Sequence, residues 1–135
     1  MPGRLDYRGD DELWDGAHNP AGAEWLVERL PSKEWVVMAS ILADKDAEQM
    51  LRTLRRAGDT FVATSSSNPR ALPAGLLADL ARPLFARVEE DDDSAAARDL
   101  ALALGRPVLV TGSLYLLADL VARFGDVPCG NQARG

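Results

Sequence analysis

Ala23–Leu54 reads AEWLVERLPSKEWVVMASILADKDAEQMLRTL, and its apolar residues change period twice. Ala23, Leu26, Val27 and Leu30 recur at helical spacing, which places one apolar stripe on one face. Trp35–Met38 is then a continuous apolar run, bounded by Pro31-Ser32 before it and Ala43-Asp44 after it. Ala47, Met50, Leu51 and Leu54 return to helical spacing. A helix, a short strand apolar on both sides and a second helix predict a parallel sheet covered on both faces.

The same alternation extends outward. Thr60–Thr64 (TFVAT), Pro83–Val88 (PLFARV) and Pro107–Thr111 (PVLVT) resemble the first strand. Helical stripes lie between and after them: a short one at Leu72, Leu76, Leu77 and Leu80, then Ala97, Leu100, Ala101 and Leu104, then Leu117, Leu120, Val121 and Phe124. Asn19 before Pro20 is an N-cap followed by a proline in the first turn; Asp44, Ser94 and Ser113 are the cap candidates elsewhere. Arg4–Tyr7 and Glu12–Asp15 flank the polar turn Gly9-Asp10-Asp11 and read as a hairpin. The acidic run Glu89–Asp93 reads as a solvated loop whose charges favour the start of the next helix. The expected fold is a three-layer, doubly wound, Rossmann-like α/β domain, its sheet mostly parallel with one antiparallel N-terminal strand. It is expected over residues 1–125, with 126–135 a flexible tail.

Composition narrows the function. The 135 residues are one domain's worth, and 47% are hydrophobic, enough for a core. Against 21 acidic side chains stand 15 basic ones, a net charge of −6. That balance argues against a nucleic-acid binder, as does an aromatic content of only 6%. A lone cysteine, Cys129, permits no internal disulfide and fits a reducing, cytoplasmic setting. No apolar stretch approaches the ~20 residues of a membrane span, and no signal-peptide layout is visible.

In open α/β sheets ligands gather beyond the carboxyl ends of the strands. The polar groups concentrate there: Asp15-Gly16-Ala17-His18-Asn19-Pro20, Ala43-Asp44-Lys45-Asp46, Ser65–Arg70, and Thr111-Gly112-Ser113-Leu114-Tyr115. Asp15 either reaches a ribose hydroxyl pair or a cation, or only caps its loop. His18, the one histidine, either donates to an anion or nucleotide or packs. Lys45, between two aspartates at a helix start, either waits for an anion or simply faces solvent. Gly112-Ser113 either holds a carboxylate or phosphate at a helix start or is an ordinary capped turn. Arg4 could clamp a phosphate, because a guanidinium fork matches its oxygens, and Arg70 could aim at the same edge. Neither G-x-x-x-x-G-K-[ST] nor G-x-G-x-x-G is present, nor a cysteine–histidine metal set, so hydrolysis of ATP by this stretch alone is not expected.

In order and spacing, Pro2-Gly3-Arg4, DGAHNP at 15–20, ADKD at 43–46, Pro69-Arg70-Ala71 and VTGSLY at 110–115 resemble the C-terminal domain of the folylpolyglutamate synthase/dihydrofolate synthase family, within the Mur ligase superfamily. The resemblance runs to about Phe124. Two places depart from it: Trp14 stands where an aliphatic residue is usual, and Ala39-Ser40-Ile41-Leu42 replaces a glycine-containing turn. The resemblance implies an ATP-dependent, ADP-forming ligase that activates a folate carboxylate as an acyl phosphate and joins it to the amine of glutamate. It implies nucleotide contacts for Arg4 (phosphate), Asp15 (ribose), His18 and Asn19, and glutamate contacts for Asp44, Lys45, Ser113 and Tyr115. His18 and Lys45 are then the candidate catalytic groups. The implied cofactors are ATP and Mg2+, with the metal ligands mainly on an N-terminal ATPase domain rather than here. The implied partners are that domain, L-glutamate, and dihydropteroate or a reduced folate, with no nucleic acid and no membrane. Alternatives are another Mur-type ligase, acting on a cell-wall or storage-polymer precursor, and a receiver-like signalling module; the latter would place its lysine after the last strand.

Overall fold

The computed structural model describes residues 4–105 and 107–124. The Pro2-Gly3 motif, Cys129 and the 126–135 tail lie outside them. The elements run β1 (Asp6–Tyr7), β2 (Glu12–Trp14), α1 (Pro20–Glu28), β3 (Val36–Ala39), α2 (Ala47–Leu54), a 3-10 turn (Arg55–Ala57), β4 (Thr60–Ala63), α3 (Ala74–Ala81), β5 (Arg87–Glu90), α4 (Ser94–Leu104), β6 (Val108–Thr111) and α5 (Leu114–Phe124). They form one six-stranded sheet in the order β1-β2-β6-β3-β4-β5. Only the β1–β2 pair is antiparallel. The expected mostly parallel sheet with one antiparallel N-terminal strand is what forms.

Strand alternation builds two cores. Leu13, Leu109, Val37 and Phe61 are register partners across β2, β6, β3 and β4. All four join the cluster containing Leu26 of α1, Leu51 of α2 and Leu77 of α3. Their neighbours Trp14, Val110, Met38 and Val62 point the other way, with Ala97 and Ala101 of α4 and Leu116 and Leu120 of α5. Three helices therefore cover one face and two the other. Each fully buried Leu or Phe contributes about 1.5–3 kcal/mol, and burial on both faces is why these strands read as unbroken apolar runs. Among the described residues no helix is long and apolar enough to cross a membrane.

Several local expectations fail for physical reasons. The fifth strand is not Pro83–Val88. Pro83–Phe85 instead lies in the turn that follows α3, with the Leu84 and Phe85 N–H groups on the Ala81 carbonyl, and Phe85 packs on Phe61 with ring centres 4.9 Å apart. The strand begins later, at Arg87, and takes in Glu89 and Glu90 of the supposed acidic loop. It is an edge strand, where charge deters pairing with other chains. In α3, Ala74, Leu77, Ala78 and Ala81 are buried while Leu76 and Leu80 are exposed; the alanines let the helix lie close to the sheet. Asp46 rather than Asp44 caps α2, and Asp93 rather than Ser94 caps α4. Trp14 fits its unusual position because its indole Nε1 donates to Glu12 at 2.7 Å and Arg8 lies over its ring.

Candidate functional site

The carboxyl ends of β2, β6 and β3 are adjacent, so the segments that follow them share one rim. Gly112 makes the tightest turn there. Its φ is +102°, and a Cβ would lie 2.4 Å from the Ser40 carbonyl oxygen. The close approach that a glycine after β3 would have allowed is thus provided from the β6 side. Ser113 follows, 1% exposed, its Oγ accepting the Tyr115 N–H at 3.0 Å. The Asn19 Oδ1 accepts from Gly22 N at 2.7 Å and caps α1.

The loops after β3 and β4 are stitched to each other. Ala43 N–H donates to the Arg70 carbonyl at 2.7 Å and Leu72 N–H to the Ile41 carbonyl at 3.0 Å. This brings Arg70 against Asp44, Nη1 to Oδ2 at 2.9 Å. Asp46 is occupied by the Gln49 N–H. Lys45 is therefore not clasped by the two aspartates that flank it. Side chains next to each other in a turn diverge, and each aspartate finds another donor. The half-buried Lys45 ammonium pairs with no carboxylate among the described residues.

Lys45, His18, Arg70, Ser113 and Tyr115 line one cavity of about 490 Å3, whose apolar wall is Leu42, Leu114 and Ala118. His18 Nδ1 lies 3.0 Å from the Gly16 carbonyl. With the proton on Nδ1, Nε2 remains as the ring atom open to a ligand. The cavity thus combines two cations, a buried hydroxyl, an imidazole and an apolar wall, which suits a small molecule bearing carboxylates on a short aliphatic body.

Of the eight residues that the resemblance implies, four meet here, His18, Lys45, Ser113 and Tyr115, and Arg70 joins them. Asp44 reaches the cavity only through Arg70. Asp15 lies beneath the rim, completely buried, with Oδ2 accepting Leu5 N–H and Oδ1 accepting Ala17 N–H, both at 2.9 Å. As arranged, it caps its loop and anchors the N-terminal strand, and no oxygen is presented to a ribose. Arg4 stands beside Asp15, Nε to Oδ2 at 3.4 Å, outside the cavity. Asn19 is also outside it. Among the described residues no group of three or more His, Cys, Asp or Glu could hold a metal ion. The sequence reading missed the apolar wall, which the loop after β3 and the first turns of α5 assemble and no spacing rule marks.

Comparison with known proteins identifies the family. The family described as Mur ligase, glutamate ligase domain, matches residues 3–114. The chain belongs to that family. It is 36% identical over 121 residues to the folylpolyglutamate synthase of Lacticaseibacillus casei, covering 85% of this chain and 28% of that protein. The Mycobacterium tuberculosis folylpolyglutamate synthase complexed with ADP superposes with a TM-score of 0.82 at 32% identity, covering 95% of this chain and 33% of that one. A bifunctional folylpolyglutamate synthase/dihydrofolate synthase with Mn, AMPPNP and L-glutamate bound superposes with a TM-score of 0.76 at 27% identity, covering 91% and 31%. The chain thus spans about a third of these relatives and corresponds to the C-terminal domain of folate–glutamate ligases. Nucleotide and divalent-metal binding occur among relatives of this Mur ligase domain.

Proposed function

We propose that this domain binds L-glutamate and one side of ATP for an ADP-forming folate–glutamate amide ligase of the cytoplasm, whose ATPase domain lies N-terminal to it. The observation that carries the reading is the Lys45 ammonium, which meets no carboxylate among the described residues, in a cavity shared with Arg70 and Ser113. In it, Lys45, Arg70 and the Ser113 hydroxyl hold the carboxylates of glutamate, with Asp44 steadying Arg70. Tyr115 and Leu114 flank the aliphatic body. His18 and Asn19 border the nucleotide, and Arg4 meets its phosphates.

In the proposed reaction the terminal phosphoryl group of ATP passes to a carboxylate of dihydropteroate or a reduced folate, giving an acyl phosphate and ADP. The glutamate amine, having lost a proton, attacks the acyl carbon. The amide forms and phosphate departs. This domain's part is to orient the amine and neutralise the carboxylates, which is where such chemistry gains most. Mg2+ would neutralise charge on the ATP phosphates, its ligands lying mainly on the ATPase domain.

The test is ADP release by the protein that carries this domain. Release should require a pteroate or folate together with L-glutamate. ADP formed equally without glutamate, or with no folate at all, would overturn the reading.

A further inference from the structure

A feature away from the cavity concerns how Arg4 is held. The guanidinium carbons of Arg4 and Arg29 lie 4.1 and 4.2 Å from the centre of the Trp25 ring. Arg29 is placed by its own helix end, its Nη1 donating to the Trp25 carbonyl at 2.9 Å. Arg4 comes from the chain ahead of β1 and, among the described residues, its side chain makes no such backbone contact. Two like charges on one indole repel each other, so Arg4 stays only because the ring's negative face and the buried Asp15 carboxylate at 3.4 Å hold it. Leu5 fixes the direction of approach. Its φ is +48°, its N–H is tied to Asp15, and its side chain packs on the α1 side of the core, as does Trp25.

The result is a guanidinium with a face on Trp25 and its Nε edge against an anion. Among the described residues its terminal nitrogens hold no hydrogen bond. We propose that Trp25 is a positioning residue for Arg4, stacking the guanidinium so that its terminal nitrogens are held out for the phosphate oxygens of a nucleotide. This rests on the reading of Arg4 as a phosphate ligand. An unstacked Arg4 would have to be ordered at every binding event, weakening nucleotide binding by about threefold to thirtyfold, the worth of one such stack.

The experiment is a double-mutant cycle in the protein that carries this domain, reading KM for ATP, KM for glutamate and kcat. Trp25→Leu keeps apolar volume against the core but removes the ring; Trp25→Tyr keeps a ring. Expected are a raised ATP KM for Arg4→Ala and for Trp25→Leu with glutamate KM unchanged, no further rise in the double variant, and recovery to within about twofold in Trp25→Tyr. If Arg4→Ala leaves the ATP KM unchanged, the phosphate role of Arg4 fails and the inference falls with it. If Arg4→Ala raises it but Trp25→Leu does not, or the two effects multiply, Arg4 keeps its role and Trp25 loses the one assigned here. A Trp25→Leu variant that alters glutamate KM equally, or a Trp25→Tyr variant no better than it, would show a merely structural residue and overturn the proposal.

Discussion

The two ends of the sheet use charge in opposite ways. At the amino end, Glu12 is 3% exposed and fully engaged: Arg98 binds both its oxygens at 2.7 Å, and Trp14 donates at 2.7 Å. At the carboxyl end, Lys45 reaches no carboxylate among the described residues and Arg70 holds only an exposed aspartate. A buried charge without partners is too costly to keep, so the amino-end cluster is closed on itself and serves the fold. A half-buried cation facing a cavity can stay unpaired at little cost and is available to a ligand. Saturation of partners, more than charge itself, separates scaffold from site.

Arg98→Ala attacks the scaffold end and carries the largest expected effect. It removes the paired cation and two of the three hydrogen bonds from a buried carboxylate and should cost about 3–5 kcal/mol in urea unfolding; a loss under 1 kcal/mol would show that Glu12 is not the closed centre described. Gly112→Ala comes next. Its left-handed φ and the 2.4 Å approach to Ser40 predict about 1–3 kcal/mol of destabilisation with weakened glutamate binding, because the same turn carries Ser113. Unchanged stability would mean that the rim relaxes easily. The smallest effect belongs to an exposed pair that is neither scaffold nor site. Hydrogen bonding from the Arg56 guanidinium holds the Glu24 carboxyl below its usual range. A lowered folded-state pKa gives stability above the unfolded value that disappears as pH falls through the folded one. Glu24→Gln should therefore lower stability slightly near neutrality, with the difference from the parent protein vanishing toward the acid end, as followed by thermal unfolding between pH 3 and 7 (roughly the carboxylate range).

What was legible in the sequence follows from burial. Val36–Ala39, Phe61–Ala63 and Val108–Val110 are covered on both faces, so their unbroken apolar runs announce central strands. Arg87–Glu90 is half solvated and charged, so it looked like a loop, while apolar Pro83–Phe85 drew the strand assignment forward. The face of α3 was misread because alanines do the packing and the leucines face out. The rim was legible because each cluster follows a strand and adjacent strands bring their ends together. Partner choice was not: Asp44 reaches Arg70, Glu12 reaches Arg98 and Arg4 reaches Trp25 across distances in sequence that no periodicity encodes. Lys45 shows the limit from the other side, since its flanking aspartates are neighbours in the chain but not in space.

The decisive comparison of the two ends is Lys45→Ala in the protein that carries this domain, with KM measured separately for glutamate and ATP. Losing one charge-assisted hydrogen-bonding partner, worth about 1.5–3 kcal/mol, should raise the glutamate KM tenfold or more, leave the ATP KM within about twofold, and shift folding stability by no more than about 0.5 kcal/mol. A rise confined to ATP, or a protein that unfolds as Arg98→Ala is expected to, would place Lys45 with the scaffold or the nucleotide and contradict the glutamate cavity.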